Sequence, residues 1–146
     1  MIHPTETQVG RFCWLDLAAT DLGRAKSFYF NVFGWTSQEQ LANGGSFTRL
    51  RSLGCDVGSV YQLKDVLLQH GMPSHWTPYV RVSNVRDAAR RVQFFGGDVV
   101  VQPFLVSGVA RIALILDSVG ALVGLWEPIT GGMDVNGTAG QERELQ

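Results

Sequence analysis

The chain has 146 residues, a formal net charge of -1 and a hydrophobic content of 45%. This length is enough for one compact domain with a real core, and the near-neutral charge gives no electrostatic reason to expect nucleic acid or an anionic membrane as a partner. No apolar stretch approaches the roughly 20 residues that span a bilayer. Cys13 and Cys55 form no metal or redox motif, so we expect reduced thiols in a cytoplasmic protein.

Residues 1–9 lack the pattern of a signal peptide and are interpreted as an N-terminal arm. Residues 10–63 then predict a β-α-β-β-β module. Asp21 can cap its helix and Gly34 can end it, while Asn43-Gly44-Gly45 predicts a hairpin turn. The predicted strands cover residues 12–18, 35–41, 46–53 and 56–63, and the predicted inner helix face is Leu22, Ala25, Phe28, Tyr29, Val32 and Phe33.

Residues 64–75 contain Gly71 and Pro73 and are predicted to connect this module to a second one over residues 76–128. The second module has the same order, with Asn84 as helix cap and strands at 76–82, 98–106, 110–117 and 121–126. Its predicted inner helix face is Val85, Ala88, Ala89, Val92 and Phe95. Residues 129–146 are polar and Gly-rich and are predicted to be a flexible tail. The offset of about 62 residues predicts two copies of one supersecondary unit around a shared site.

Several stretches of this repeat resemble the vicinal-oxygen-chelate superfamily of glyoxalase I, bleomycin resistance proteins and extradiol dioxygenases. In the first half they are Trp14-Leu15-Asp16-Leu17, Thr20-Asp21-Leu22, Ala25-Lys26-Ser27-Phe28-Tyr29 and Phe33-Gly34-Trp35. In the second half they are Trp76-Thr77-Pro78-Tyr79, Val82-Ser83-Asn84-Val85, Phe95-Gly96-Gly97 and Asp117-Ser118-Val119-Gly120-Ala121. The resemblance implies an α+β fold of two βαβββ modules in tandem, each a curved mixed sheet covered by a helix. It also implies a ligand cavity, often completed by a second subunit, so we expect a homodimer.

In metal-using members of this superfamily, four His or Glu ligands come from the first and fourth strands of each module. The resemblance places the equivalent positions at Trp14, Gln62, Thr77 and Gly124. Trp and Gly side chains cannot ligate a metal ion, and Gln62 alone cannot hold one. We therefore predict no metal and no cofactor. His75 remains an alternative ligand of an atypical site, although a solvent-facing loop histidine is the simpler interpretation.

Strand alternation predicts the side chains that line the cavity. They are Phe12, Trp14 and Asp16 on the first strand, Val60 and Gln62 on the fourth, Thr77, Tyr79 and Arg81 on the fifth, and Leu122 and Trp126 on the last. An aromatic lining with a few polar groups suits a small, flat, partly apolar ligand. The competing interpretation is that these aromatic residues are ordinary core.

Asp16 is the candidate catalytic residue, because burial in an apolar strand would raise its pKa and fit it for general acid or base catalysis. The competing interpretation is a structural ion pair with Arg81 or Arg111, or a hydrogen bond to nearby backbone. Cys13 is interpreted as a small buried hydrophobe. Three functions remain open, and the preferred one is metal-free binding of a small aromatic molecule, as in bleomycin resistance proteins. The alternatives are a cofactor-free lyase, isomerase or cyclase that uses Asp16, and a metal-dependent glyoxalase-like lyase or dioxygenase.

Overall fold

The computed structural model describes residues 8–42, 45–106 and 108–129. The elements in chain order are β1 (Phe12–Ala19), α1 (Leu22–Phe33), β2 (Thr36–Ala42), β3 (Gly45–Ser52), β4 (Cys55–Gln62), α2 (Asp65–Gln69), β5 (His75–Arg81), α3 (Val85–Phe94), β6 (Asp98–Val106), β7 (Ala110–Leu116) and β8 (Leu122–Pro128). Most of the predicted arm and tail, and positions 43 and 44 of the hairpin turn, lie outside the described residues. The five domain bounds inferred from the sequence stay a prediction.

The chain forms two compact units, Trp14–Thr77 and the described residues of 8–13 with 78–129. In the first unit the strand order is β2-β3-β4-β1, with β1 parallel to β4 and the other pairs antiparallel. In the second unit the order is β5-β8-β7-β6, with β5 parallel to β8 and the other pairs antiparallel. The predicted α+β fold of two βαβββ modules is confirmed.

Helix α1 begins and ends where the sequence predicts. The Asp21 side chain accepts a hydrogen bond from the Arg24 N–H at 3.0 Å, and Gly34 takes the left-handed conformation with φ 76°. Three of its side chains pack on a core of four buried strand residues; the helix residues are Leu22, Ala25 and Tyr29, and the strand residues are Leu17, Ala19, Leu50 and Val60.

The predicted inner face of α1 is too wide. Phe28, Val32 and Phe33 were assigned to it, yet their exposed fractions are 57%, 54% and 57%. The sheet core accepts only Leu22, Ala25 and Tyr29 from this helix, so the remaining apolar side chains stay at the surface.

Helix α3 is the better buried of the two long helices. The Asn84 side chain caps it by accepting from the Asp87 N–H at 3.0 Å. Val85 and Ala88 pack with Ala113, Ile115 and Leu125 from β7 and β8. The assignment of Phe95 to the inner face is wrong, because α3 ends at Phe94 and the Phe95 side chain is 71% exposed.

The segment predicted as a plain connector contains the short helix α2, which its Gly71 and Pro73 did not indicate because both follow the helix. Among the helices of the described ranges, none has the length and apolarity needed to cross a membrane.

Candidate functional site

The open face of the first sheet, defined as the face turned away from α1, carries the main candidate site. Leu17, Ala19 and Val60 pack on the α1 side, so the alternate residues of β1 and β4 point to the opposite side. Strand register then places Asp16 beside Ser59. Trp14, Asp16, Ser59 and Tyr61 therefore share the open face.

Two hydrogen bonds fix the orientation of the Asp16 carboxylate. The Trp14 Nε1–H donates to Ser59 Oγ at 2.8 Å, and the Ser59 hydroxyl donates to Asp16 Oδ1 at 2.7 Å. An indole N–H can only donate, so it occupies an acceptor site of Ser59 and directs the single hydroxyl hydrogen of Ser59 to Asp16. The second carboxylate oxygen, Oδ2, accepts no hydrogen bond from any residue in the described ranges.

Burial determines the protonation of Asp16. Burial raises the pKa of Asp16 to about 7, although the hydrogen bond from Ser59 stabilises the charged form and lowers the pKa. Burial, and then the nearby charge of Asp16, also raise the pKa of the Tyr61 hydroxyl. At neutral pH the face thus combines a carboxyl group close to half protonation with a protonated phenol.

The alternative interpretation of Asp16 as half of a structural ion pair is not supported. Arg111 forms its ion pair with Glu127 instead, and Asp16 forms no ion pair with an arginine anywhere in the described part of the chain. The Asp16 carboxylate therefore has one polar contact in the described protein, the Ser59 hydroxyl.

The assignment of Val60 to the cavity side is wrong, whereas that of Gln62 stays a prediction. Val60 lies in the core beneath α1. The Gln62 side chain accepts from the Leu22 N–H at 2.8 Å and donates to the Thr20 carbonyl at 2.9 Å. These bonds give Gln62 a structural role at the start of α1, and its role in ligand binding has only the sequence argument behind it.

Sequence reasoning missed Ser59 and Tyr61, which take the places given to Val60 and Gln62. The available signal was the neighbouring Gly58, because a side chain there would come within 2.4 Å of the Leu15 carbonyl oxygen. This close approach brings β4 against β1 and sets the register in which Ser59 meets Asp16.

The second unit has a different composition at the equivalent positions. Its parallel pair places Tyr79 beside Gly124, as Asp16 is beside Ser59 in the first unit. The Tyr79 ring lies over Gly124 and contacts Trp126 edge-on, with ring centroids 5.7 Å apart. Tyr79 and Trp126 are buried, so this half of the predicted lining is a packed aromatic pair.

The other predicted lining residues lie in varied surroundings. Phe12 is 67% exposed at the start of β1, whereas Thr77 is buried in β5. Arg81 pairs its backbone with the N-terminal segment: its N–H donates to the Arg11 carbonyl and its carbonyl accepts from the Gly10 N–H. Contact of any of these side chains with a ligand stays a prediction.

The residues present do not fit the metal site that the fold family uses. Strand register makes Ser59 of the first unit equivalent to Gly124 of the second. The four positions that carry metal ligands in this fold family are therefore Trp14, Ser59, Thr77 and Gly124. A β-carbon at Gly124 would come within 2.2 Å of the Tyr79 ring, which leaves no room for a ligating side chain. The described ranges contain no group of three His, Cys, Asp or Glu side chains able to hold a metal ion.

Two further candidates have ordinary structural roles. Cys13 is buried, and burial raises the pKa of its thiol to about 11, which disfavours the nucleophilic thiolate. His75 Nδ1 lies 2.9 Å from the carbonyl oxygen of Pro73 in its own loop.

Two curated proteins show which sequences this chain is similar to. The anthracycline biosynthesis protein DauV of Streptomyces sp. (strain C5) is 32% identical over 143 residues, which are 90% of this chain and 52% of DauV. CFP32 of Mycobacterium bovis, a protein assigned by name to the glyoxylases, is 31% identical over 124 residues, which are 84% of this chain and 48% of CFP32. The chain thus spans about half the length of the curated relatives it matches. No family model matches it.

The solved structures confirm the fold. A Streptomyces coelicolor methylmalonyl-CoA epimerase, in complex with 2-nitronate-propionyl-CoA, superposes with a TM-score of 0.57 and 18% identity. The match covers 84% of this chain and 100% of the epimerase chain. This neighbour binds a CoA ester, and its likeness to the present chain establishes the shared architecture.

Proposed function

The chain is a member of the vicinal-oxygen-chelate superfamily, and from this membership we propose that it binds a small, flat, partly aromatic carbonyl compound and moves a proton on it with Asp16. The reaction class is a cofactor-free isomerase, lyase or cyclase. The observation that supports it is the half-buried Asp16 carboxyl group, which is held by Ser59 and has no ionic partner in the described protein. We therefore prefer acid–base chemistry to the simple binding that the sequence favoured.

The proposed step is abstraction of a proton from a carbon that is next to a carbonyl group or conjugated with one through an aromatic ring. Asp16 Oδ2, the oxygen not engaged by Ser59, accepts the proton as the C–H bond breaks. The electron pair of that bond moves to the carbonyl oxygen and gives an enolate. Asp16 then returns the proton to another carbon, or to the same carbon, so no oxidant or reductant is needed. A pKa of about 7 suits a group that both takes and gives a proton at neutral pH.

Two further features support an aromatic ligand. Tyr61 shares the open face with Asp16, and its side chain, 37% exposed, offers a ring surface and a hydroxyl group. Trp14 on the same face is buried and contributes its N–H to Ser59. The name of the relative DauV, an anthracycline biosynthesis protein, is consistent with a fused-ring compound. Simple sequestration is the second candidate, and the observation in its favour is the packed apolar pair of Tyr79 and Trp126.

Anthrone is a suitable probe, because it is a flat tricyclic ketone whose acidic CH₂ group is conjugated with the carbonyl through the aromatic rings, so that loss of its proton gives an enolate. We expect the protein to accelerate exchange of the CH₂ hydrogens for deuterium in D₂O, measured by the loss of their ¹H NMR signal. Asp16→Asn should lower the protein-dependent exchange rate by about 10²-fold or more, since amide nitrogen and oxygen cannot replace a carboxylate base. The matched control is Asp65→Asn, at an exposed carboxylate of α2.

The pH profile distinguishes a chemical role of Asp16 from a structural one. The exchange rate should rise with a midpoint near pH 7, as Asp16 becomes the carboxylate. Ser59→Ala removes the hydrogen bond to the charged form and should shift this midpoint upward. Binding of anthrone is measured separately, by quenching of Trp fluorescence. Binding without faster deuterium exchange would contradict proton transfer and favour sequestration.

We propose that the protein acts as a homodimer. Helix α1 exposes Phe28, Phe30 and Phe33, each 57% accessible, and adjacent exposed aromatic side chains are typical of an interaction surface. A cytoplasmic location remains a prediction.

A further inference from the structure

The open face of the first sheet carries a second polar group, two strands away from Asp16. Arg49 on β3 is in register with Ser59 on β4, and Ser59 is in register with Asp16 on β1. Residues in register share one face of the sheet, and neighbouring strands are about 4.8 Å apart. Arg49 and Asp16 therefore stand in one row across the open face, about 10 Å apart at the backbone.

A cluster of two arginines and one carboxylate surrounds Arg49. Its Nε–H donates to Asp56 Oδ1 at 3.1 Å, its Nη2 pairs with Asp56 Oδ2, and its Nη1 donates to the Gln40 side chain at 3.2 Å. Arg51 Nη1 donates to the same Asp56 at 3.2 Å. A β-bulge between Leu50 and Arg51 sets Asp56 opposite Arg51, on the face that Arg49 shares.

This cluster has an excess of positive charge. Two guanidinium groups share one carboxylate, and no other ion pair to Arg49 or Arg51 occurs in the described ranges. The arginine side chains are 25% and 27% exposed and Asp56 is 16% exposed, so solvent screens the charges less than at an open surface. Two of the five N–H donors of Arg49 have no acceptor among the residues that the structure describes.

We propose that Arg49 and Arg51 form an anion subsite, which binds a carboxylate or phenolate of the ligand about 10 Å from the atom that faces Asp16. The inference rests on the proposed function for the position of the ligand. A half-buried guanidinium with free donors is the protein group best matched to a planar oxyanion. The ligand class is then an anionic aromatic ketone of about two or three fused rings. Asp56 acts as a positioning residue, because it holds both guanidinium groups in place.

Naphthalene-2-carboxylate and naphthalene-2-carboxamide test this subsite, because they have the same shape and differ in charge. Neither probe has an acidic C–H, so the result is independent of proton transfer by Asp16. We expect the intact protein to bind the carboxylate roughly tenfold more tightly than the carboxamide, as for one charge-assisted hydrogen-bonded pair. The Kd values are measured by quenching of Trp fluorescence at pH 8 and low salt.

Substitutions in the arginine cluster test whether it causes the preference for the carboxylate probe. Arg49→Met should bring the two Kd values to within about twofold, and Arg51→Met should lower the preference by a smaller factor. Arg90→Met is the matched control, since Arg90 is an arginine ion-paired to Asp87 on the surface of α3, and it should retain the full preference. Far-ultraviolet circular dichroism verifies that each variant is folded.

Three results would overturn the subsite. They are equal affinity of the intact protein for the two probes, an unchanged preference in Arg49→Met, and no binding of either probe. Failure of the proposed function appears elsewhere, as absence of deuterium exchange into anthrone. If the protein prefers the carboxylate probe but does not accelerate deuterium exchange in anthrone, the anion subsite is supported and the catalytic role of Asp16 is contradicted.

Discussion

Asp16 shows how burial outweighs a favourable contact on a single residue. A hydrogen bond from Ser59 stabilises its carboxylate at 2.7 Å, but the cost of removing the charge from water is larger. The folded protein therefore binds a proton at Asp16 at a pH where an unfolded chain has released it.

This difference gives a measurable pH dependence of stability. The pKa of Asp16 is raised from 3.8 to about 7, so unfolding releases a proton between these values and the free energy of unfolding falls as the pH rises through that window. Asp16→Asn should lack the fall, and at pH 8 it should be more stable than the parent by roughly 1–3 kcal/mol. Urea unfolding at pH 4.5, 6 and 8 measures both slopes.

Asp65→Asn is the control for this measurement and should keep the parent slope. A parent protein whose stability is flat between pH 4.5 and 7 would contradict the raised pKa of Asp16. Equal slopes in Asp16→Asn and the parent would assign the pH dependence to another group.

The sequence predicted Asp16 and its surroundings unevenly. A carboxylate in the apolar stretch of β1 was recognisable, because alternation placed it beside Trp14 on one face. The partners on β4 were not, since Val60 and Gln62 look as suitable for a cavity as Ser59 and Tyr61 until the register is known. The cluster of Arg49, Arg51 and Asp56 was missed, because the bulge that aligns Asp56 with Arg51 has no sequence signature.

Among the elements, the fourth strand of each unit is tied to the helix of that unit by one side chain. Gln62 accepts a hydrogen bond from the N–H of Leu22, the first residue of α1. Glu127 accepts one from the N–H of Val85, the first residue of α3, at 2.9 Å. Both contacts satisfy a helix N–H that has no partner inside the helix. The repeat thus preserves a helix–strand link while the open faces differ.

Glu127 has a second task, because its other oxygen pairs with Arg111. Its side chain is 15% exposed and that of Arg111 is 21% exposed. Glu127→Ala should lower the free energy of unfolding by roughly 2–4 kcal/mol, since it removes the helix cap and leaves Arg111 without its carboxylate. Urea unfolding followed by circular dichroism measures the loss.

Glu127→Gln is the matched comparison, because Gln62 already performs the capping role in the first unit. It should cost less than half as much as Glu127→Ala. An alanine variant as stable as the glutamine variant would show that the cap contributes nothing.

The order of the elements was predictable from the sequence, while the coverage of the sheets was not. Caps at Asp21 and Asn84 and a repeated hydrophobic period identified both modules. The width of the α1 face that becomes buried depends on the strand residues beneath it, such as Leu50 and Val60. The hydrophobic period of the helix contains no information about these strand residues. Phe28, Val32 and Phe33 were therefore assigned to a face that does not bury them.

For the whole molecule, the exposed aromatic side chains of α1 predict self-association. Phe30→Glu should convert the proposed homodimer to a monomer at micromolar concentration, because it places a charge in an apolar contact. Sedimentation velocity measures the mass. Phe94→Glu is the matched control, since Phe94 is 82% exposed on α3, and it should leave the dimer intact. A parent protein that sediments as a monomer at all concentrations would rule out the dimer.

The ring of Tyr79 over Gly124 constrains the routes by which this sequence can change. Any side chain at position 124 collides with the ring, at 2.2 Å from its β-carbon, so a metal-ligating residue introduced there alone would disrupt the packing of β5 on β8. Tyr79 would have to become small first, and that change by itself leaves a cavity beside Trp126. A larger side chain at position 124 therefore requires two substitutions in a fixed order, the first of which is harmful, and selection acting one step at a time would keep Tyr79 and Gly124 together.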